Sequence, residues 1–191
     1  MQTPPDTDKS ALRTQLKQRR AGVSDSQQRQ ACEAIARHLV GSALWPDATR
    51  IALYLPHNAE ISPLAVADAA RDAGKTLFLP VVGDNHALCF KAWPAGSELR
   101  PNRFGIPEPA AGGPVLAEAL DCILVPLLGW NRRGVRLGMG GGYYDRALAA
   151  ISDTTLVGVG YACQECDTLS PEAWDVSMNY ILTEQTLIAC D

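Results

Sequence analysis

The chain has 191 residues, 47% hydrophobic and 20% charged, which bounds it to one ordinary globular domain with room for a sizeable core. Its formal net charge of -4 excludes a general nucleic-acid binder, whose surface would be basic, although local arginine clusters can still hold a small anion. No apolar run is long enough to cross a bilayer and the N-terminus is polar, so no membrane partner is expected, and the six cysteines are expected as free thiols in a reducing cytoplasm.

Residues 1–8, with Pro4 and Pro5 and little to pack, are expected to form a disordered leader, and residues 9–191 a single domain. Asp8 reads as the N-cap of a helix reaching about Gly22, with Leu12 and Leu16 on one face. Lys9, Arg13 and Lys17 fall at i, i+4 and i+8, which lines these cations along one side. Like charges at that spacing repel, so helix stability is not their reason. A solvated face accounts for the row, and so does an anion bound across it.

Ser24 with Gln27 makes a capping box for a second helix reaching about Leu44, with Ala31, Ile35 and Leu39 on its buried face. A strand is expected over Ile51–Leu55, stopped by Pro56. Glu60 then lies just beyond a strand end, where open α/β sheets place ligand-binding carboxylates, though a lone acid there is also an ordinary surface residue. Ser62-Pro63 opens a third helix closing near Gly74. Thr76–Val82 and Ala87–Trp93 read as a hairpin about Gly83-Asp84-Asn85. Pro94 to Pro114 is too irregular for an element, yet Phe104 and Ile106 are expected to anchor it as an ordered loop beside the site. Val115–Leu120 reads as a short helical turn, Leu156–Tyr161 as a buried strand and Tyr180–Thr183 as the last strand. Strands alternating with helices predict a three-layer α/β/α sandwich around a mostly parallel sheet, which the hairpin makes mixed. The Cys163-x-x-Cys166 pair has no second pair, and His38, His57 and His86 are isolated, so zinc is not expected there.

The richest stretch runs from Cys122 to Ala147. Ile123-Leu124-Val125 reads as a buried strand ended by Pro126. Gly134, Gly138, Gly140, Gly141 and Gly142 follow, with Arg132, Arg133 and Arg136 among them, and a helix is expected over about Gly142–Ile151. Packing seldom favours such a glycine cluster, because each glycine loses much conformational entropy on folding. What glycine offers is positive φ and close approach of backbone N–H groups to a ligand. A strand, a glycine loop and a helix N-terminus make a nest for phosphate oxygens, and Arg136 can add a guanidinium fork. The spacing is neither a Walker A loop nor the dinucleotide fingerprint.

Lys9-x-x-x-Arg13, the Leu55 to Glu60 segment and Arg136-Leu137-Gly138-Met139-Gly140-Gly141-Gly142-Tyr143-Tyr144-Asp145 together resemble the 5-formyltetrahydrofolate cyclo-ligase family, also called methenyltetrahydrofolate synthetase. The likeness runs from about Lys9 to Glu184. It takes in Phe104-Gly-Ile-Pro-Glu-Pro109 and the closing Trp174-Asp175-Val176 segment. The resemblance implies an α/β/α fold and an ATP- and magnesium-dependent closure of 5-formyltetrahydrofolate to 5,10-methenyltetrahydrofolate, with release of ADP and phosphate; a monomer is expected, although no residue in the sequence sets the oligomeric state. It assigns Lys9, Arg13 and Arg136 to catalysis and, with Leu137 through Tyr144, to ATP. It assigns Leu55, Glu60 and Met139 to Tyr143 to the folate, and Asp145 and Asp175 to magnesium. The chain departs from the family pattern at Trp130-Asn131, where relatives usually read Phe-Asp, at Met139, and at Trp174. A folate-binding protein without catalysis and another phosphate-handling α/β enzyme are the competing readings.

Overall fold

A computed structural model describes residues 7–190 of the chain. The expected leader lies outside the described residues except at Thr7 and Asp8, which already belong to the first helix, α1 (Thr7–Ala21), so Asp8 is not its N-cap. α2 (Asp25–Val40) starts at the expected box: Gln27 N–H donates to Ser24 Oγ at 3.4 Å, and Ser24 N–H donates to Gln27 Oε1 at 2.9 Å. It ends at Gly41, short of Leu44, and buries Ala31, Ile35 and Leu39 as its period requires.

The central sheet follows from short apolar runs cut by proline and glycine. β1 (Arg50–Ala52) is followed by α3 (Leu64–Asp72), β2 (Thr76–Val82) and the hairpin strand β3 (Leu88–Ala92). β2 tolerates Pro80 because β1 pairs with it only as far as Phe78, so no ladder bond on that side is lost. The same brevity makes β1 shorter than the expected Ile51–Leu55. Next come β4 (Leu99–Pro101) and β5 (Pro107–Pro109), a small antiparallel pair inside the stretch expected to hold no element. Asn102 closes their turn, its Oδ1 accepting from the N–H groups of Phe104 at 2.8 Å and Ile106 at 3.1 Å. Ile106 is half-buried, but Phe104 is 50% exposed and is not the anchor expected.

A single 3-10 turn, Ala117–Ala119, leads to β6 (Cys122–Pro126). The chain then folds back through β7 (Gly129–Trp130) and β8 (Arg136–Leu137), a second antiparallel pair absent from the sequence reading. Asn131 organises the turn between them: Oδ1 accepts from Arg133 and Val135 N–H, and Nδ2 donates to Leu169 O at 3.1 Å. At Gly134, with φ at +78°, a Cβ would lie 2.3 Å from Met178 O, so only glycine fits. α4 (Tyr143–Leu148), β9 (Thr155–Val159), β10 (Tyr180–Leu182) and β11 (Leu187–Ala189) complete the fold. β11, pairing antiparallel with β10, is an edge strand that the sequence reading missed.

The sheet order is β11-β10-β9-β6-β1-β2-β3, with β9, β6, β1, β2 and β10 parallel to their neighbours and antiparallel pairs at both edges. One face packs Ile51, Leu53, Leu77 and Leu124 under α2 and α3; the other packs Phe78, Ile123, Val125 and Ile181 under Leu148 of α4. This is the expected three-layer α/β sandwich. α1 stands outside these layers and buries Leu16 against Leu128 and Leu137 beside the β7–β8 pair.

Candidate active site

From β1 the chain turns to one side of the sheet, toward β2, and from the adjacent β6 it turns to the other, toward β9. Their carboxyl ends therefore diverge at a topological switch point, the position at which open α/β sheets leave a crevice. Here the crevice is a cleft of about 1140 Å³, lined by Tyr54 and Leu55 beyond β1, Pro126 at the end of β6 with Leu127 and Leu128 after it, the glycine loop before α4, one side of α1, and residues 172–176. Every residue assigned from the sequence lies on its wall: Lys9, Arg13, Leu55, Glu60, Arg136 through Asp145, and Asp175.

One half of the cleft is cationic. Arg13 Nε donates to Gly138 O at 3.1 Å, which joins α1 to the glycine loop. Gly140 and Gly142 adopt φ of +96° and +63°, and Gly142 leads directly into α4. Arg136 is 8% exposed, and its guanidinium donates to Val176 O and to Asp145 Oδ1. That bond uses one carboxylate oxygen, and the Asp145 side chain keeps 27% of its surface exposed. Lys9 Nζ lies 2.9 Å from Glu172 Oε1 and 3.8 Å from Asp175 Oδ2, so acids of the 172–176 segment hold it. Lys17, the third cation of the expected row, is exposed and does not line the cleft. Arg20 takes its place, fully within the wall.

The other half is built around Glu60. Glu60 Oε2 accepts from His57 N–H at 3.0 Å, and Glu60 Oε1 lies 3.6 Å from Arg20 Nη1. Burial raises the Glu60 carboxyl above its ordinary pKa, while the His57 N–H and the Arg20 charge oppose that rise. The turn presenting Glu60 puts Asn58 and Ala59 at φ of +51° and +60°, a strained conformation for alanine of the kind that gathers at functional sites. Burial also raises the Tyr54 and Tyr144 hydroxyls well above their usual value, so both stay protonated donors, and Tyr54 Oη donates to Ile61 O at 2.7 Å. Tyr143 stands at the rim between His86, 5.1 Å away by ring centroid, and the edge-on Phe104 at 5.9 Å, and Arg103 Nη2 donates to its hydroxyl at 2.8 Å. Met139, Phe104 and Trp174 are large apolar side chains left half-exposed or more along the cleft. Asn131 lies outside the cleft wall, where it builds the β7–β8 turn rather than facing a ligand.

Fold and cleft together define an α/β protein with a crevice at the switch point of its sheet, in which the Arg13–glycine loop wall and the largely buried Glu60 carboxylate face one space. The model of the 5-formyltetrahydrofolate cyclo-ligase family matches residues 5–184, and the chain belongs to that family of ligase enzymes. It is 33% identical over 177 residues to the 5-formyltetrahydrofolate cyclo-ligase of Haemophilus influenzae, covering 90% of this chain and 95% of that protein. Against the enzyme of the same name from Escherichia coli strain K12 the identity is 31%, covering 88% and 96%. The 5,10-methenyltetrahydrofolate synthetase of Aquifex aeolicus superposes with a TM-score of 0.84 at 30% identity, covering 95% of this chain and 92% of its own.

Proposed function

We propose that this chain closes 5-formyltetrahydrofolate to 5,10-methenyltetrahydrofolate at the expense of ATP, releasing ADP and phosphate. The observation that carries the reading is the meeting, in one cleft, of the Arg13–glycine loop half with the Glu60 half in a chain of this family. A formamide is a poor electrophile and its oxygen a poor leaving group. Transfer of the γ-phosphoryl group to the formyl oxygen leaves an iminium carbon that N10 of the folate attacks. N10 then loses its proton, the C–O bond breaks, and phosphate departs with both electrons. Phosphoryl transfer asks for positioning and charge neutralisation more than covalent help. In this reading Lys9, Arg13, Arg136 and the N–H groups of the glycine loop hold the phosphates. Leu55 and Glu60 hold the pterin, the carboxylate accepting from its N–H donors, and the loop from Met139 to Tyr143 touches both substrates.

Among the described residues no group of three or more histidine, cysteine or acidic side chains could cage a metal. Magnesium needs no such cage, because one or two carboxylates suffice when phosphate oxygens and water complete its shell. Asp145, with one oxygen outside its Arg136 bond, and Asp175 on the same wall fit that demand, and the ion would supply charge neutralisation at the phosphates. We place the enzyme in the cytoplasm as a monomer; the free thiols of Cys32, Cys89, Cys122, Cys163 and Cys166 suit a reducing compartment. The test is absorbance of the methenyl product with and without ATP and with excess chelator. Product formed at full rate without ATP would overturn the reading, and full turnover in chelator would remove the metal from it.

A further inference from the structure

Arg20 closes the last turn of α1, is 3% exposed, and its Nη1 has no hydrogen-bond partner. Burying a guanidinium carries a desolvation penalty that packing alone does not explain, since methionine or leucine would fill the same volume. The nearest acid is Glu60, whose Oε1 lies 3.6 Å from that Nη1, inside ion-pair reach but beyond a hydrogen bond. The Glu60 side chain retains 15% exposure, all of which a ligand seated on it would remove. The groups facing Glu60 are Arg20 from α1, Tyr54 and His57 from the β1–α3 connection, and Tyr144 from α4. Among these, Arg20 is the one permanent cation. Without it the carboxylate would face two neutral hydroxyls, the His57 backbone N–H and the His57 imidazole, which is not a permanent cation.

We propose that Arg20 is a positioning residue for folate binding: it stands behind Glu60 as a fixed countercharge that keeps the carboxylate ionised and aimed into the cleft when the pterin covers it. The proposal rests on the reading that Glu60 holds the pterin. A protonated carboxyl presents one donor where the pterin offers two, so its loss of charge is a loss of binding. Burial already favours the protonated form, and seating a ligand favours it further. The Arg20 charge acts against both, and the unused Nη1 lies 3.6 Å from Oε1, one small side-chain adjustment from a hydrogen bond.

The test is calorimetric titration of 5-formyltetrahydrofolate into the full-length protein between about pH 5 and pH 8.5. Wild-type affinity is expected to fall only toward the acid end. Arg20→Met is expected to move that fall upward by about one pH unit, weakening binding about twofold at its new midpoint and approaching about tenfold well below both midpoints, and to converge on wild type at the alkaline end. Arg20→Lys, which keeps the charge, is expected to return the acid limb. A loss equal at every pH would make Arg20 a packing residue and overturn the proposal. Should Arg20→Met fail to fold, the double variant Arg20→Met/Glu60→Gln decides: affinity equal to that of Glu60→Gln alone supports action through Glu60, and a further loss overturns it. If Glu60→Gln itself binds folate as wild type does, the pterin reading of Glu60 is what fails.

Discussion

Arg13 Nε donates to the carbonyl oxygen of Gly138 at 3.1 Å, tying the first helix to a loop more than half the chain away. The bond fixes where the guanidinium points and leaves its terminal nitrogens for a ligand. Arg13→Ala is expected to raise the Michaelis constant for ATP and lower turnover. It removes one hydrogen bond, about 1 kcal/mol, so the melting temperature should fall by only about 2–4 °C. Steady-state kinetics with a thermal melt separate the roles, since a large melt shift with normal ATP kinetics would make Arg13 structural.

Gly140 faces the same guanidinium. Its φ is +96°, and a Cβ there would lie 3.5 Å from Arg13 Cζ. The space is ordinary contact, so the obstacle to a side chain is the backbone conformation, a strain of about 1–3 kcal/mol. Relief of that strain would swing the loop N–H groups away from a phosphate. Preorganised donors of this kind are each worth about 2.7–4 kcal/mol in measured acyl-transfer cases. Gly140→Ala is therefore expected to lower turnover more than tenfold while 5-formyltetrahydrofolate affinity changes only a few-fold. Collapse of folate affinity with normal turnover at saturation would make the loop a folate clamp instead.

Lys9 reaches Glu172 before any nucleotide does, at 2.9 Å, in a pair whose side chains are 27% and 40% exposed. An exposed pair of this kind contributes about 0–1 kcal/mol, so a phosphate can displace the carboxylate. Glu172→Gln is expected to lower the Michaelis constant for ATP a few-fold, with little change in turnover or melting temperature. A raised constant would show that Glu172 assists the nucleotide rather than competing with it.

Asp121 anchors the opposite end of the sheet. Its Oδ2 accepts from Thr49 N–H at 2.8 Å, Thr49 Oγ1 at 2.7 Å and Arg50 N–H at 2.8 Å. Burial pushes its pKa up, but these bonds and the Arg50 charge outweigh that, and the net shift is downward. A lowered folded pKa gives stability that is present above the unfolded value, about 3.9, and lost as pH falls through the folded one. Asp121→Ala is expected to destabilise by about 1–3 kcal/mol near neutral pH. Its deficit against wild type should shrink below about pH 4, which melts across acid pH would show. A deficit constant with pH would assign the effect to packing.

The parts of the fold legible in the sequence are those governed by local rules. The capping box at Ser24, the Thr76–Val82 strand and the glycine loop each carry their cause within a few residues. β11 and the β7–β8 pair were not legible, because each strand is only two or three residues long, too short to show an alternating pattern, and its turn is templated by one side chain, Thr183 before β11 and Asn131 between β7 and β8. In the cleft, the Arg136–Asp145 segment announced itself by composition. Arg20 did not, because the sequence reading followed the i, i+4, i+8 row to Lys17. The signal was present in the spacing, since Lys9 and Arg20 are 11 residues apart, close to three full turns of about 3.6 residues. Glu172 carried no such mark, as nothing local says that a proline-flanked acid returns to meet Lys9.

That three-turn spacing makes α1 a ruler between the two halves of the cleft. Deleting or inserting one residue between Arg13 and Arg20 would turn one cation by about 100° relative to the other and move it about 1.5 Å along the axis. Segments near a chain terminus ordinarily absorb such changes, because little depends on their register. Here the reverse is expected: the helix nearest the N-terminus should accept many substitutions on its outer side yet refuse any change of length. A library of single-residue insertions through the chain would find this stretch as intolerant as the buried strands, although most of its surface faces water.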